Sequence, residues 1–189
     1  MIRLSQRQQQ LASCIEHTLL KADATPAAIT NLCEEARHYG FYSVCVNPYY
    51  TAFANKLLVG TTVRVCTVIG FPLGATFTEV KVSEAREALR NGAIELDMVL
   101  NIGSLIGGDI AAVQYDIESV VSVAHKGNAL VKVIIETALL DEDHKITACE
   151  IVTNSCADFI KTSTGFASGG ATVEDVELMR RYVGPNVRI

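Results

Sequence analysis

Short apolar strands alternate with amphipathic helices from one end of this 189-residue chain to the other, and most strands carry a polar residue near their end. Cys66, Asp97, Lys132 and Lys161 follow one another at steps of roughly 30 residues, the length of one strand, loop and helix. Strict alternation of this kind means parallel strands joined by right-handed crossovers. Two architectures meet that condition, a doubly wound open sheet and a (β/α)8 barrel. An open sheet that binds a dinucleotide places a glycine-rich fingerprint after its first strand. Here the first strand runs into Leu19-Leu20-Lys21-Ala22-Asp23, and no such fingerprint is present.

The pattern predicts strands at 14–18, 42–47, 63–69, 94–100, 130–136 and 158–161, with the start of a seventh at 187–189. Helices are expected over 4–13, from Thr25-Pro26 to Gly40, and from Pro48 to Leu58. Further helices are expected from Thr78 to Arg90, from Asp109 to Lys126, from Asp141 to near Cys156, and from Thr172 or Val173 to Tyr182. Asn101 to Gly108 reads as a glycine-rich loop. Within the strands one face is apolar, as with Val44 and Val46, Leu96 and Met98, or Val131, Val133 and Ile135. The other face is mixed: Glu16 and Thr18, Cys45, Arg64 and Cys66, Glu95 and Asp97, Lys132 and Glu136, Lys161 and Ser163. Side chains alternate across a strand, so each strand has one face for helices and one for something else. Barrel interiors are usually filled with branched aliphatics. An interior carrying Asp, Lys and Glu near the strand ends reads as an active site, which favours the barrel.

The chain is 49% hydrophobic and 20% charged, which suits one globular domain over 1–189. A net charge of −5 without a long basic run argues against a nucleic-acid groove or an anionic membrane face. No apolar run reaches the ~18 residues of a membrane span. The polar stretch Met1 to Gln10 has no signal-peptide core, so a cytoplasmic protein is expected. The six cysteines form no CxxC pair and have no histidine cluster beside them, so no zinc site is expected. Most read as small buried hydrophobes, and all as free thiols in a reducing compartment.

The chemistry centres on Ala157 to Gly165, ADFIKTSTG, a short strand that breaks into a Ser/Thr/Gly loop with Lys161 at the break. Burying an unpaired ammonium is costly, so such a lysine tends to lose its proton and become a nucleophile toward carbonyls. Thr164 and Gly165 suit a loop that offers donors to an anion. The plainer reading is a lysine that snorkels out at a strand end. Asp97, Lys132 and Lys161 come from consecutive strands and can converge. Two adjacent lysines favour the neutral form of one of them, and Asp97 can then move protons. A buried Lys–Asp ion pair that only holds the fold is the structural alternative. Thr18 and Cys45, on the mixed face, are candidate pocket residues, although Cys45 serves equally well as a small filler. His17 reads as structural, and His38, His125 and His144 as surface residues.

IEHTLL at 15–20, VCVNP at 44–48, IGFPLG at 69–74, ELDMVLNIG at 95–103, VKVIIETALL at 131–140 and ADFIKTSTGF at 157–166 together resemble deoxyribose-phosphate aldolase. The resemblance implies a (β/α)8 TIM barrel and a class I aldolase without cofactor or metal. It implies that Lys161 forms the Schiff base, that Asp97 transfers protons, and that Lys132 perturbs the nucleophile. It also implies reversible cleavage of 2-deoxy-D-ribose 5-phosphate to glyceraldehyde 3-phosphate and acetaldehyde in deoxyribonucleotide catabolism. Thr18, Cys45, Thr164 and Gly165 are the expected substrate-binding residues, and a homo-oligomer, a dimer, is the expected assembly.

The family carries a further lysine on strand 7 and phosphate loops after strands 7 and 8. This sequence stops at Ile189, about six and a half βα units along, so a C-terminally truncated barrel with weak cleavage and exposed edges is expected. Two other readings remain at this stage. One is a Schiff-base lyase for another phosphorylated aldehyde; the other is an inactive barrel fragment with a scaffold or dimerising role.

Overall fold

A computed structural model describes residues 4–189. The first three residues of the polar N-terminal stretch Met1 to Gln10 lie outside the described residues. Six strands lie in one sheet in chain order, β1 (Glu16–Leu19), β2 (Ser43–Val46), β3 (Arg64–Ile69), β4 (Glu95–Val99), β5 (Leu130–Ile134) and β6 (Phe159–Lys161). Among the described residues no helix is long and apolar enough to cross a membrane. The chain packs as two compact parts, residues up to 68 with 88–95, and residues 69–87 with 96–189.

In the first part β1 pairs with β2 and β2 with β3, both parallel, as crossover connections require. After α1 (Gln6–Ala12), Thr25 caps α2 (Pro26–Tyr39) by accepting from the Ala28 N–H, and proline fills the first turn, where its missing N–H costs nothing. Gly40, at φ 70°, ends the helix in the left-handed conformation that glycine adopts without strain. Ile29, Leu32, Cys33 and Ala36 recur at helical spacing and bury the helix against Val44, Val46 and Val65. Pro48 does stop β2, but the next segment begins as a 3-10 turn before α3 (Thr51–Leu58). Two polar residues of the mixed face, Arg64 and Glu95, form an ion pair at 3.1 Å, with the guanidinium 4.5 Å above the Tyr42 ring. His17 bonds Glu35 at 2.7 Å and packs edge-on against Phe41, in line with a structural role.

In the second part α4 (Thr78–Arg90, from Ala88 onward in the first part) and α6 (Ile110–Lys126) occupy the expected ranges, and Asp109 caps α6 through the Ala112 N–H. Asp141 likewise caps α7 (Glu142–Asn154), and Thr172 caps α8 (Val173–Tyr182). One expectation fails here. Asn101 to Gly108 is not simply a loop: the Asn101 side chain accepts from the Ser104 N–H and starts a short helix, α5 (Ile102–Ile106). Its two apolar residues, Ile102 and Leu105, are buried, which outweighs the glycines' weak helix preference. β5 pairs parallel with β6. The segment read as the start of strand 7 makes one parallel bridge, Arg188 to Phe159, with the Ile160 N–H donating to Arg188 O at 2.9 Å.

The cysteines divide cleanly. Cys33, Cys45, Cys66 and Cys149 are buried, whereas Cys14 and Cys156 are exposed. Burial pushes the Cys33 and Cys149 thiols up to about 11, with the Glu150 charge adding to the effect on Cys149. A thiol reagent at mildly alkaline pH is therefore expected to modify Cys14 and Cys156 rapidly, and the buried four only on unfolding. Rapid modification of Cys33 or Cys149 in the native protein, read by peptide mapping, would contradict the packing described.

Candidate active site

Asp97 lies in the middle of β4 with its side chain fully buried, a position that a carboxylate occupies only when its charge is matched. Two lysines match it. Lys132 Nζ, from β5, donates to Oδ1 at 2.9 Å, and Lys161 Nζ, the last residue of β6, donates to Oδ2. The strand register explains the convergence. Lys132 stands opposite Phe159 and Ile134 opposite Lys161, so the two lysines share a face one side-chain step apart.

The lysines differ in exposure. Lys132 keeps 9% of its side chain accessible and Lys161 keeps 33%. Lys132 is further enclosed by the Phe159 ring, whose centroid lies 6.0 Å from Nζ. A carbonyl compound arriving from solvent therefore meets Lys161 first. One carboxylate thus accepts from two amines, one on each oxygen.

Beyond Lys161 the chain leaves β6 as the loop 162–166. Thr164 donates both its backbone N–H, at 3.2 Å, and its hydroxyl to Glu136. Gly165 is exposed at φ 82°, a conformation glycine adopts freely. Phe166 packs edge-on against Phe71. A cavity of about 620 Å³ adjoins this loop, walled by Pro72, Leu73, Ile102, Leu139 and Phe166, with Glu136 at its edge. Lys161 does not line it, so the cavity is a neighbour of the lysine site rather than the site itself.

Thr18 and Cys45 belong to the first part, where they are register partners on β1 and β2. Cys45 is buried, and Thr18 is exposed with its hydroxyl donating to Glu16 O at 3.1 Å. Two charged residues escaped the sequence reading. Lys81, on α4, is wholly buried; its Nζ donates to Asp116 Oδ2 at 2.5 Å and to Val99 O at 2.9 Å. Periodicity gives no sign of this pair, because 35 residues separate the partners.

Parallel strands that deliver a carboxylate and two amines to one point define an α/β protein equipped for carbonyl chemistry. Residues 12–186 match the DeoC/LacD family aldolases, and the chain belongs to that family. It is 58% identical over 182 residues to the deoxyribose-phosphate aldolase of Geobacillus sp. (strain WCH70), covering 96% of this chain and 81% of that one. To the deoxyribose-phosphate aldolase of Thermococcus gammatolerans it is 59% identical over 181 residues, 95% of this chain and 80% of the other. Among solved structures, the tetrameric deoxyribose phosphate aldolase from Aeropyrum pernix superimposes with a TM-score of 0.87 at 35% identity, covering 95% of this chain and 76% of that one.

Proposed function

We propose that the chain is a deoxyribose-phosphate aldolase of the Schiff-base class, reversibly cleaving 2-deoxy-D-ribose 5-phosphate to glyceraldehyde 3-phosphate and acetaldehyde. The observation that carries the assignment of the nucleophile is the partial exposure of Lys161 beside an otherwise enclosed Asp97 and Lys132. We read the strands as parts of one (β/α)8 barrel domain, acting on a small phosphosugar in the cytoplasm. The relatives' names and the parallel strand order support this reading.

The Lys161 amine adds to C1 of the open-chain sugar and water leaves, giving an iminium. A base removes the proton of the C3 hydroxyl, the C2–C3 bond breaks, and its electron pair moves into the iminium. Glyceraldehyde 3-phosphate departs, leaving an enamine on Lys161. Protonation of the enamine carbon and hydrolysis release acetaldehyde and restore the amine. Asp97 touches both amines and serves as the local proton acceptor and donor for the carbinolamine. Lys132, as the second cation on Asp97, disfavours charge on Lys161 and leaves a larger share of it nucleophilic.

The test is chemical trapping. Incubation with acetaldehyde followed by borohydride should fix an ethyl group on Lys161, identified by peptide mapping. An adduct mainly on Lys132 would overturn the assignment. Failure of the protein to cleave the sugar phosphate, with trapping intact, would redirect the reading to a Schiff-base lyase for another aldehyde.

A further inference from the structure

We propose that Glu136 is a positioning residue for Lys161, holding the loop 162–166 in one conformation through Thr164. The proposal rests on the aldolase reading only for its kinetic consequence.

Glu136 stands two residues beyond the end of β5 and is buried, with 2% of its surface accessible. Its backbone is left-handed, φ 54° and ψ 65°, a region that costs a side-chain-bearing residue and persists only where the surroundings fix it. What fixes it is the strand beside it. The Ile135 N–H donates to Lys161 O at 3.0 Å, and the Thr137 N–H donates to Thr162 O at 2.8 Å. Between those rungs the Glu136 side chain reaches along the same edge and receives both donors of Thr164 on Oε2. The segment from Lys161 to Thr164 is thus tied to residues 135–137 at three successive points. Lys161 is the first residue of that segment, so the direction in which its side chain leaves β6 depends on the tie.

The bonds also fix what Thr164 can offer. Its N–H and O–H are both given to a carboxylate, and its hydroxyl oxygen accepts from the Phe166 N–H at 3.0 Å. An anion approaching Thr164 finds no donor left there and meets the Glu136 charge behind it. The loop's suitability for an anion therefore does not extend to this residue.

Glu136 acts here only as an acceptor, and its other oxygen, Oε1, is buried without a partner. That asymmetry sets the experiment. Glu136→Gln keeps a carbonyl oxygen for Thr164 and places its amide where nothing is bonded. Glu136→Ala removes the acceptor. Glu136→Gly removes it as well, but relieves the left-handed backbone, so strain and bonding are separated. Backbone amides of 162–166 are followed by hydrogen exchange without substrate, and kcat and KM are measured separately.

Glu136→Ala and Glu136→Gly should speed exchange of the 164–166 amides by about tenfold or more. They should lower kcat by roughly 10- to 100-fold, the scale of a misplaced reacting group. Glu136→Gln should stay within about threefold of the parent on both measures. Thr164→Val removes the hydroxyl bond to Glu136 and with it the acceptor of the Phe166 N–H; read at the residue 164 amide, which keeps its own acceptor on Glu136, faster exchange decides the matter if the alanine variant does not fold. Unchanged exchange in the alanine, glycine and valine variants overturns the proposal. So does a glutamine variant as impaired as the alanine one, because charge rather than the held loop would then matter. The exchange measurement needs no turnover, so absence of aldolase activity in the parent counts against the aldolase reading alone.

Discussion

Replacing Asp97 with asparagine should lower turnover by ~10²-fold or more, the scale of a lost acid–base group, and should slow imine formation on Lys161 as well. In the proposed mechanism the carboxylate moves protons during carbinolamine formation and enamine protonation, and asparagine does neither. Both lysines donate to the carboxylate. The burial of Asp97 and Lys132 means that the variant also loses stability, since Lys132 loses a charged acceptor in a site that water hardly reaches. Turnover is therefore compared per folded molecule, beside the rate of borohydride-trapped adduct. A variant whose trapping and turnover fall together, in proportion to the folded fraction, would show that Asp97 only holds the strands.

Much of this site was legible because it lies on a repeat. Asp97, Lys132 and Lys161 recur once per strand–helix unit, and parallel strands in chain order bring such positions side by side. The caps Thr25, Asp109 and Asp141 were legible for a local reason: a short polar side chain bonding an N–H three residues ahead needs no tertiary partner. Gly40 was legible for the same kind of reason. Asn101 obeys the same capping chemistry, yet its helix was missed, because five residues with a glycine among them form a helix only when Ile102 and Leu105 find a core.

Glu136 and Lys81 show where reading the sequence stops. Glu136 sat on the mixed face by parity alone, but its left-handed backbone and its hold on Thr164 follow from where β5 ends and how β6 lies beside it. Lys81 reads as an ordinary helix lysine, bound for solvent. Its helical neighbours give no warning, because the cause of its burial is Asp116 on another helix and a carbonyl at the end of β4.

That buried pair carries the largest expected effect on stability. Lys81 has no accessible surface and Asp116 almost none, so removing one partner leaves a charge that water cannot reach. Asp116→Ala should destabilise by about 3–5 kcal/mol, the usual result of breaking a buried pair, and lower Tm on the order of 10 °C for a chain of this size. The ammonium would keep only the Val99 carbonyl as acceptor, and its stem cannot swing toward Gly70, where Cε already lies 2.7 Å from the position of an added Cβ. Removing both charges should behave differently. Asp116 Oδ1 is buried without a partner, so the pair is imperfectly satisfied even when intact. The double variant Lys81→Met with Asp116→Leu removes both desolvation costs at similar volume and should recover most of the loss. Thermal unfolding of the two single variants and the double gives the coupling directly. Additive losses would show that the two side chains act independently, whereas a double variant no more stable than either single one would show that the pair's bonds outweigh its desolvation. In that case Lys81 secures the end of β4, two residues past Asp97, by attraction rather than by filling space.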